Sequence, residues 1–140
     1  MLYRFAAMTG LRASELASLT PASFDLAADT PTVTLEAACS KHRREDVLPL
    51  HPDLVARLRQ WLTERERQPD GLRSVLAFDR SSDVKPERLF PGTWPDKAAE
   101  MFRIDLEAAG IGYATDAGIA DFHSLRHTFI SNARAVPSEV

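Results

Sequence analysis

The length and composition of the chain are those of an ordinary globular protein. Its 140 residues are 44% hydrophobic and 26% charged, which suits one domain rather than two. Its 17 Lys and Arg against 20 Asp and Glu give a net charge of −3, which counts mildly against a general polyanion-binding protein. A phosphate site needs only a few cations close together, so the positions of the cations matter more than their sum.

The cysteine count and the hydropathy exclude further classes of protein. The single Cys39 excludes an internal disulfide bond and a cluster of metal-binding cysteines, and it fits a reducing compartment. The apolar stretch at the N-terminus has no basic region before it, and no apolar run approaches the roughly 20 residues that cross a bilayer. We therefore expect a cytoplasmic protein with neither an export signal nor a membrane anchor.

Two short helices are predicted at the start of the chain. Apolar residues at helical spacing predict a helix over residues 2 to 9, which Gly10 ends because glycine readily adopts the left-handed conformation. A second helical pattern covers Leu11 to Leu19. Within it Arg12 and Glu15 lie three positions apart, so they share one face of the helix and can pair.

A hairpin and a longer helix follow. Thr32–Glu36 and Asp46–Leu50 are extended runs, and they predict the two strands of a hairpin with a basic tip at Ser40–Arg44. Pro52 suits the first turn of a helix. The apolar residues after it predict an amphipathic helix that continues to about residue 67.

The second half of the chain is predicted to hold a loop and two further helices. Residues 69 to 93 have no sustained period, which indicates a loop. Thr93 then caps a helix that Gly110 ends, and an irregular segment follows. The last helix starts near His123. The predicted fold class is therefore α+β, mainly helical, with a small antiparallel β-hairpin.

His123 and Arg126 form the first candidate site. They lie three positions apart at the predicted start of the last helix, so both side chains project from one face. Backbone N–H groups at a helix start favour an anion, and this corner therefore suits a phosphate. A histidine near a helix start is nevertheless more often a cap or a surface residue, and His-x-x-Arg alone is a weak motif.

Arg12 and Lys41 also have an ordinary and a functional interpretation. On a solvated surface, Arg12 paired with Glu15 contributes only about 0.2 to 0.5 kcal/mol, although a cation at a helix start opposes the helix dipole. The guanidinium of Arg12 is also well shaped for bidentate binding of a phosphate. Lys41 on the basic hairpin tip is either part of a solvated turn or a proton donor to a leaving oxygen.

Two other kinds of site fit the sequence poorly. His123 and His127 have the spacing of two metal ligands, but Arg126 lies between them and no convincing third ligand is nearby. Asp121, His123 and Ser124 are neighbours on one turn, so they cannot form the relay of a serine hydrolase. We expect no metal site, and a metal-dependent hydrolase is the least favoured function.

Three motifs occur in order along the chain. They are Thr9–Leu16, Ser40–Lys41 before Asp46–Leu50, and His123–Phe129. Their combination resembles the catalytic domain of the tyrosine recombinases, the phage integrase family. The resemblance covers nearly the whole chain, and it implies duplex DNA as the partner.

The resemblance assigns roles to five residues. It implies that Arg12 and Arg126 clamp the scissile phosphate and that Lys41 protonates the departing 5′ oxygen. It implies that His123 assists proton transfer, and that Glu15 is an acidic residue that supports the site. The implied reaction is a transesterification through a covalent 3′-phosphotyrosyl intermediate, which requires no metal ion and no small-molecule cofactor.

The chain departs from the family pattern at both ends. The family carries its nucleophilic tyrosine beyond the His-x-x-Arg helix, but no tyrosine follows Arg126. Tyr3 and Tyr113 lie upstream, and packing is the expected role of each. The separate N-terminal DNA-binding domain that is usual in the family has no room in the chain. We therefore expect residues 1–140 to form a single incomplete catalytic domain without its own nucleophile.

Three functions follow from this interpretation. The first is an integrase-like protein of site-specific DNA recombination and integration, which binds a DNA phosphodiester through its Arg, Lys and His side chains but does not cleave it alone. The second is a DNA-binding or partner-modulating fragment that acts with other recombinase protomers. The third is a non-functional remnant of a mobile element. Whether the chain is an enzyme stays open on the sequence.

Overall fold

The structure, a computed structural model, describes residues 1–67, 87–116 and 118–135. The predicted loop over residues 69 to 93 therefore lies outside the described residues from 69 to 86, and the structure describes its last part, residues 87 to 93. The described elements are the helices α1 (Leu2–Thr9), α2 (Ala13–Ser18), α3 (Pro52–Glu66), α4 (Ala98–Ala108) and α5 (Ser124–Ala135), the strands β1 (Phe24–Asp25), β2 (Thr32–Leu35), β3 (Asp46–Pro49), β4 (Ala114–Thr115) and β5 (Gly118–Ile119), and two 3₁₀ turns (Pro21–Ser23 and Trp94–Lys97). The predicted α+β class, mainly helical with a small antiparallel sheet, is confirmed.

The first two helices are joined by a tight turn. α1 ends as predicted at Gly10, which has a left-handed φ of 66° and donates its N–H to the Ala6 carbonyl. α2 is shorter than the predicted segment, because Arg12 is extended at the position that caps the helix. Leu19 is also extended. The proline at position 21 disfavours helical backbone in the residue before it, so the helix ends early.

The predicted hairpin is confirmed as part of a three-stranded antiparallel sheet with the order β1-β2-β3. Val33 lies opposite Leu48, and Leu35 lies opposite Asp46. Alternation along β2 places Val33 and Leu35 in the core, where both are buried. The edge strand β1 was not predicted, because two residues are too few for a recognisable alternation.

The predicted amphipathic helix is confirmed as α3. The His51 ring accepts the Asp53 N–H, and Pro52 occupies the first turn, where its missing N–H has no helical partner. One face of α3 buries apolar side chains, among them Leu54 and Leu58. Arg65, near its end, donates to the Leu89 carbonyl at 2.6 Å and so links the helix to the segment that precedes α4.

The predicted cap at Thr93 is wrong. A 3₁₀ turn follows Thr93, the Thr93 side chain makes no capping hydrogen bond, and α4 starts at Ala98. Trp94 donates from its indole N–H to the Phe90 carbonyl at 3.0 Å, which holds the chain in this turn. The irregular segment after Gly110 contains the short pair β4 and β5, again too brief for a sequence pattern.

The core brings together α1, α2, α3 and the sheet. Among the described residues, the largest fully buried side chains are Phe5, Leu16, Leu19, Leu54, Leu58, Leu89 and Val33. α1 is central because it packs against both α3 and α5. α5 begins one residue after His123, close to its predicted start, and the Asp121 carboxylate accepts the Ser124 N–H at 2.9 Å. None of the described helices combines the length and the apolar character needed to cross a membrane.

Candidate functional site

Glu15 is a buried carboxylate at the start of α2. Its side chain is 4% exposed, and one oxygen accepts the backbone N–H of Arg12 at 2.8 Å. The other oxygen lies 3.2 Å from Nη1 of Arg12. A carboxylate at a helix start is favoured by the helix dipole and by the N–H groups there. The sequence predicted that these residues pair, and the structure confirms this.

Arg12 presents most of its hydrogen-bonding capacity away from Glu15. Within the described residues, only Nη1 of its guanidinium has a partner, and the side chain is 28% exposed. A guanidinium carries five N–H donors in a planar arrangement. Arg12 is therefore held in place by Glu15 while it keeps donors for an oxyanion.

Lys41 lies in the loop between β2 and β3, and its backbone is tied to Glu15. Its N–H donates to the Glu15 oxygen that also contacts Arg12, at 3.4 Å. Ser40 beside it is buried, and its hydroxyl lies 3.4 Å from a carboxylate oxygen of Asp46. The Lys41 side chain is exposed. The loop is thus anchored to Glu15 by its backbone, and the Lys41 side chain is free to extend into solvent.

Arg126 joins α5 to the turn between α1 and α2. Its Nη1 donates to the carbonyl of Gly10, only two residues before Arg12. Phe129, one turn later on α5, lies directly over Gly10. A Cβ atom at residue 10 would lie 3.0 Å from Cγ of the ring and nearer still to Cδ1. Because glycine has no side chain, α5 can approach this turn closely.

His123 lies directly before α5, and its side chain makes no hydrogen bond to another candidate residue within the described part of the chain. It is exposed, and its carbonyl accepts the Arg126 N–H at 3.0 Å. Its ring packs edge to face with His127, with the ring centroids 5.2 Å apart. The structure thus links Arg12, Glu15 and Lys41 directly. Arg126 joins them through Gly10, whereas His123 is linked to Arg126 through its backbone carbonyl.

Both tyrosines pack against other residues of the fold. The Tyr3 hydroxyl donates to Asp105, and its ring packs edge to face on Phe102 and Phe122. Burial, and then the hydrogen bond and charge of Asp105, raise the pKa of Tyr3 above its ordinary value. A raised pKa disfavours the phenolate that would act as a nucleophile. Tyr113 is partly buried against the core. Packing is therefore a sufficient role for both.

The residues that sequence reasoning missed are those that bring the two arginines together. Gly10 was predicted to end a helix, and Phe129 was named as the last residue of the third motif, but a contact between them was not predicted. Their contact joins positions far apart in the chain, and no local pattern predicts such a contact. Within the described ranges, no three His, Cys, Asp or Glu residues are grouped so that they could hold a metal ion.

Comparison with known proteins identifies two similarities. The sequence model of the phage integrase family matches residues 1–133. A crystal structure of the XerH site-specific recombinase, bound to its difH substrate in a pre-cleavage complex, matches 94% of this chain with a TM-score of 0.59 and 21% sequence identity. The chain spans 34% of the length of that recombinase. No curated protein matches the sequence. The structural likeness supports the fold described above.

Proposed function

Because the chain belongs to the phage integrase family, we propose that it binds one phosphodiester of duplex DNA and serves site-specific recombination and integration. Arg12 and Arg126 hold the phosphate between their guanidinium groups. Lys41 protonates the departing oxygen, and His123 assists proton transfer. The main support is the convergence of three distant segments, since Arg126 bonds to Gly10 beside Arg12 and Glu15 bonds to both Arg12 and Lys41.

The charges of the candidate site suit a phosphodiester. Arg12, Lys41 and Arg126 carry three positive charges on segments that hydrogen bonds join, and the buried Glu15 offsets one of them. Glu15 uses both oxygens within the protein, so its acceptors point at the arginine and the loop and away from solvent. The remaining guanidinium donors can form paired hydrogen bonds to phosphate oxygens. The site therefore attracts a phosphate although the whole chain is acidic.

The same donors are suited to a phosphoryl transition state. Charge that develops on the phosphate oxygens is stabilised by fixed guanidinium groups, which need no rearrangement during the reaction. The departing 5′ oxygen needs a proton, and an exposed lysine on a loop can deliver it. The proposed reaction is a transesterification in which a tyrosine hydroxyl displaces this oxygen, so that a phosphotyrosyl bond replaces a phosphodiester bond.

We propose that the 140-residue chain does not cleave DNA by itself. It contains two tyrosines, neither of them after Arg126, and Tyr3 is engaged with Asp105. Residues 1–140 then act as one part of a catalytic domain, in keeping with a chain that spans 34% of the matched recombinase. A suicide DNA substrate incubated with the purified chain should yield no covalent protein–DNA adduct. A robust adduct refutes this part of the proposal.

DNA binding is tested by its salt dependence. Anisotropy of a labelled duplex is measured from about 50 to 200 mM salt for the wild type and for Arg12→Gln, Arg126→Gln and Lys41→Gln. Each phosphate contact that is lost should lower the slope of log K against log salt by about 0.9. Arg103→Gln on α4 is the matched control, because Arg103 is exposed and distant in sequence from these residues. Equal slopes for all variants contradict the proposal.

A second candidate function is action together with other recombinase protomers. Leu125, Phe129 and Ile130 on α5 are only partly buried, which leaves apolar surface on the helix that carries Arg126. Such surface suits contact with another protein chain. Mixing the chain with an intact relative should change the yield of recombination as its concentration rises. A constant yield across a wide concentration range excludes this role.

A further inference from the structure

The rings of His123 and His127 lie side by side at the start of α5, and these two side chains are called the histidine pair. The His123 carbonyl accepts the N–H groups of Arg126 and His127, so the backbone already turns helically from His123 onward. Residues four positions apart on such a turn are neighbours on one face. The two ring centroids are accordingly only 5.2 Å apart.

Both rings of the histidine pair are free to bind a ligand. Each residue is exposed, and within the described part of the chain neither ring takes part in a hydrogen bond or an ion pair. By contrast, the ring of His51 already accepts the Asp53 N–H. A neutral imidazole has one nitrogen with a free lone pair, and this nitrogen is a common ligand of transition metal ions. The histidine pair therefore offers two such ligands to one ion.

The position of Arg126 removes one objection to a metal site. On the sequence, a cation between the two histidines in the chain counted against metal binding. In the structure, Nη1 of Arg126 donates to the Gly10 carbonyl in the turn between α1 and α2. Arg126 is partly buried there, whereas both histidines are exposed. Its guanidinium is thus held against α1, and the positive charge is directed to the turn rather than to the two rings.

The separation of the rings is that of a tetrahedral chelate. Zinc–nitrogen bonds are about 2.0 to 2.1 Å long, and a ring nitrogen lies about 1.2 Å from the centroid of its imidazole, so two imidazoles on one tetrahedral ion have centroids about 5.2 Å apart. The histidine pair has this separation without any movement of the backbone. The Cβ–Cγ bond of histidine points close to the ring centroid, and rotation about it is broad. Each ring can therefore turn a nitrogen toward the ion while the centroids stay almost in place.

We propose that the histidine pair binds a divalent transition metal ion of the Zn²⁺ class. One nitrogen of each ring binds the ion, and water completes the coordination, because no third His, Cys, Asp or Glu is grouped with the pair in the described ranges. Imidazole suits zinc, copper and nickel, whereas magnesium prefers oxygen ligands. A metal-bound nitrogen of His123 cannot also carry a proton, so occupation should withdraw His123 from proton transfer. That consequence rests on the proposed function, whereas the metal site does not.

Isothermal titration calorimetry of the full 140-residue chain with Zn²⁺ tests the site, and one ion per chain is expected. His123→Gln and His127→Gln should each weaken binding at least about tenfold, because the second ligand of a chelate binds at a high effective concentration. His42→Gln is the matched control, because His42 is an exposed histidine with no other histidine within four positions, and it should bind like the wild type. Circular dichroism checks that each variant is folded.

Nuclear magnetic resonance then locates the ion. Zn²⁺ should shift the ring C–H signals of His123 and His127 together, and it should leave those of His42 and His51 in place. An excess of Mg²⁺ should neither shift these signals nor displace Zn²⁺, because magnesium dehydrates reluctantly and prefers oxygen ligands.

Several results overturn the proposal. They are no measurable binding of Zn²⁺, one ion per two chains, a loss of affinity in only one of His123→Gln and His127→Gln, and an equal loss in His42→Gln. Displacement of Zn²⁺ by Mg²⁺ would also show that carboxylates rather than imidazoles bind the ion. Arg12→Gln separates this proposal from the proposed function, because it should bind Zn²⁺ like the wild type whether or not it binds DNA.

Discussion

Replacing Gly10 by alanine should disturb the contact that brings Arg126 to Arg12. Gly10 has a φ of 66°, a left-handed conformation that costs an L-residue roughly 1 to 2 kcal/mol. The new Cβ would lie 3.0 and 3.1 Å from two atoms of the Phe129 ring and nearer still to a third, so the ring must move. Overpacking of this kind typically costs about 1 to 3 kcal/mol.

Gly110→Ala is the matched control for the backbone cost. Gly110 has a nearly identical φ of 69°, but an added Cβ atom there meets nothing within 4 Å. Urea unfolding should therefore show a loss of about 1 kcal/mol for Gly110→Ala and about 2 to 4 kcal/mol for Gly10→Ala, with the excess due to Phe129. This excess is a large fraction of the usual stability of a domain, about 5 to 15 kcal/mol.

Two further measurements distinguish the effect of the contact between residue 10 and Phe129 from a general loss of stability. In the double variant Gly10→Ala with Phe129→Ala the clash is absent, so its loss of stability should be smaller than the sum of the two single losses. Gly10→Ala should also weaken binding of duplex DNA under conditions where it is fully folded, because Arg126 shifts together with Phe129. Equal costs at Gly10 and Gly110, together with unchanged DNA binding, would refute the reasoning.

Three further predictions concern other parts of the fold. Glu15→Gln should lower the free energy of unfolding by about 1 to 3 kcal/mol and speed hydrogen exchange at the Lys41 amide, and unchanged exchange would contradict the link between them. Tyr3 ionises less readily when folded, so the free energy of unfolding should fall as the pH rises above about 10, and Tyr3→Phe should remove that decline. Asp105→Asn should make this fall in the free energy of unfolding smaller. An undiminished fall in Tyr3→Phe would exclude Tyr3 as the source of the pH dependence. Leu58→Ala should cost about 2 to 5 kcal/mol in urea unfolding, whereas a loss below 1 kcal/mol would argue against its place in the core.

Local sequence patterns were sufficient to predict the elements that are long enough to show a period or that begin or end at a proline or glycine. Gly10 ended α1 and Pro52 began α3 as predicted, because the conformational preferences of glycine and proline act within a few residues. The hairpin was predicted because the β2 segment alternates with β-branched residues and the β3 segment is a second extended run. By contrast, β1, β4 and β5 have two residues each, and that length carries no period.

Competing local interactions explain the errors at helix starts. Thr93 has the residue type of a cap, but the indole of Trp94 bonds to the Phe90 carbonyl, and a 3₁₀ turn precedes α4. Arg12 was predicted at a helix start within a pattern that begins at Leu11, and it instead lies just before α2, where Glu15 binds its backbone N–H. The predicted pairing of Arg12 with Glu15 is unaffected by this difference, since the two residues still contact each other across the first turn.

The sequence predicted which residues belong to the candidate site, but only partly which contacts bring them together. The residue types and the resemblance named Arg12, Lys41 and Arg126, which are far apart in the chain. Their proximity depends on Gly10, whose carbonyl binds Arg126, and on Glu15, whose oxygens bind the other two. These are contacts of the folded chain, and their geometry follows from how α5 packs on α1.

The most direct test of the central claim is a double-mutant cycle for DNA binding. The affinity of a labelled duplex is measured for the wild type, Arg12→Gln, Arg126→Gln and the double variant at one fixed salt concentration. If both guanidinium groups bind the same phosphodiester, the double variant should lose less affinity than the two single losses predict, with a coupling of at least about 1 kcal/mol. Strictly additive losses, or no loss in either single variant, would contradict a shared phosphate site.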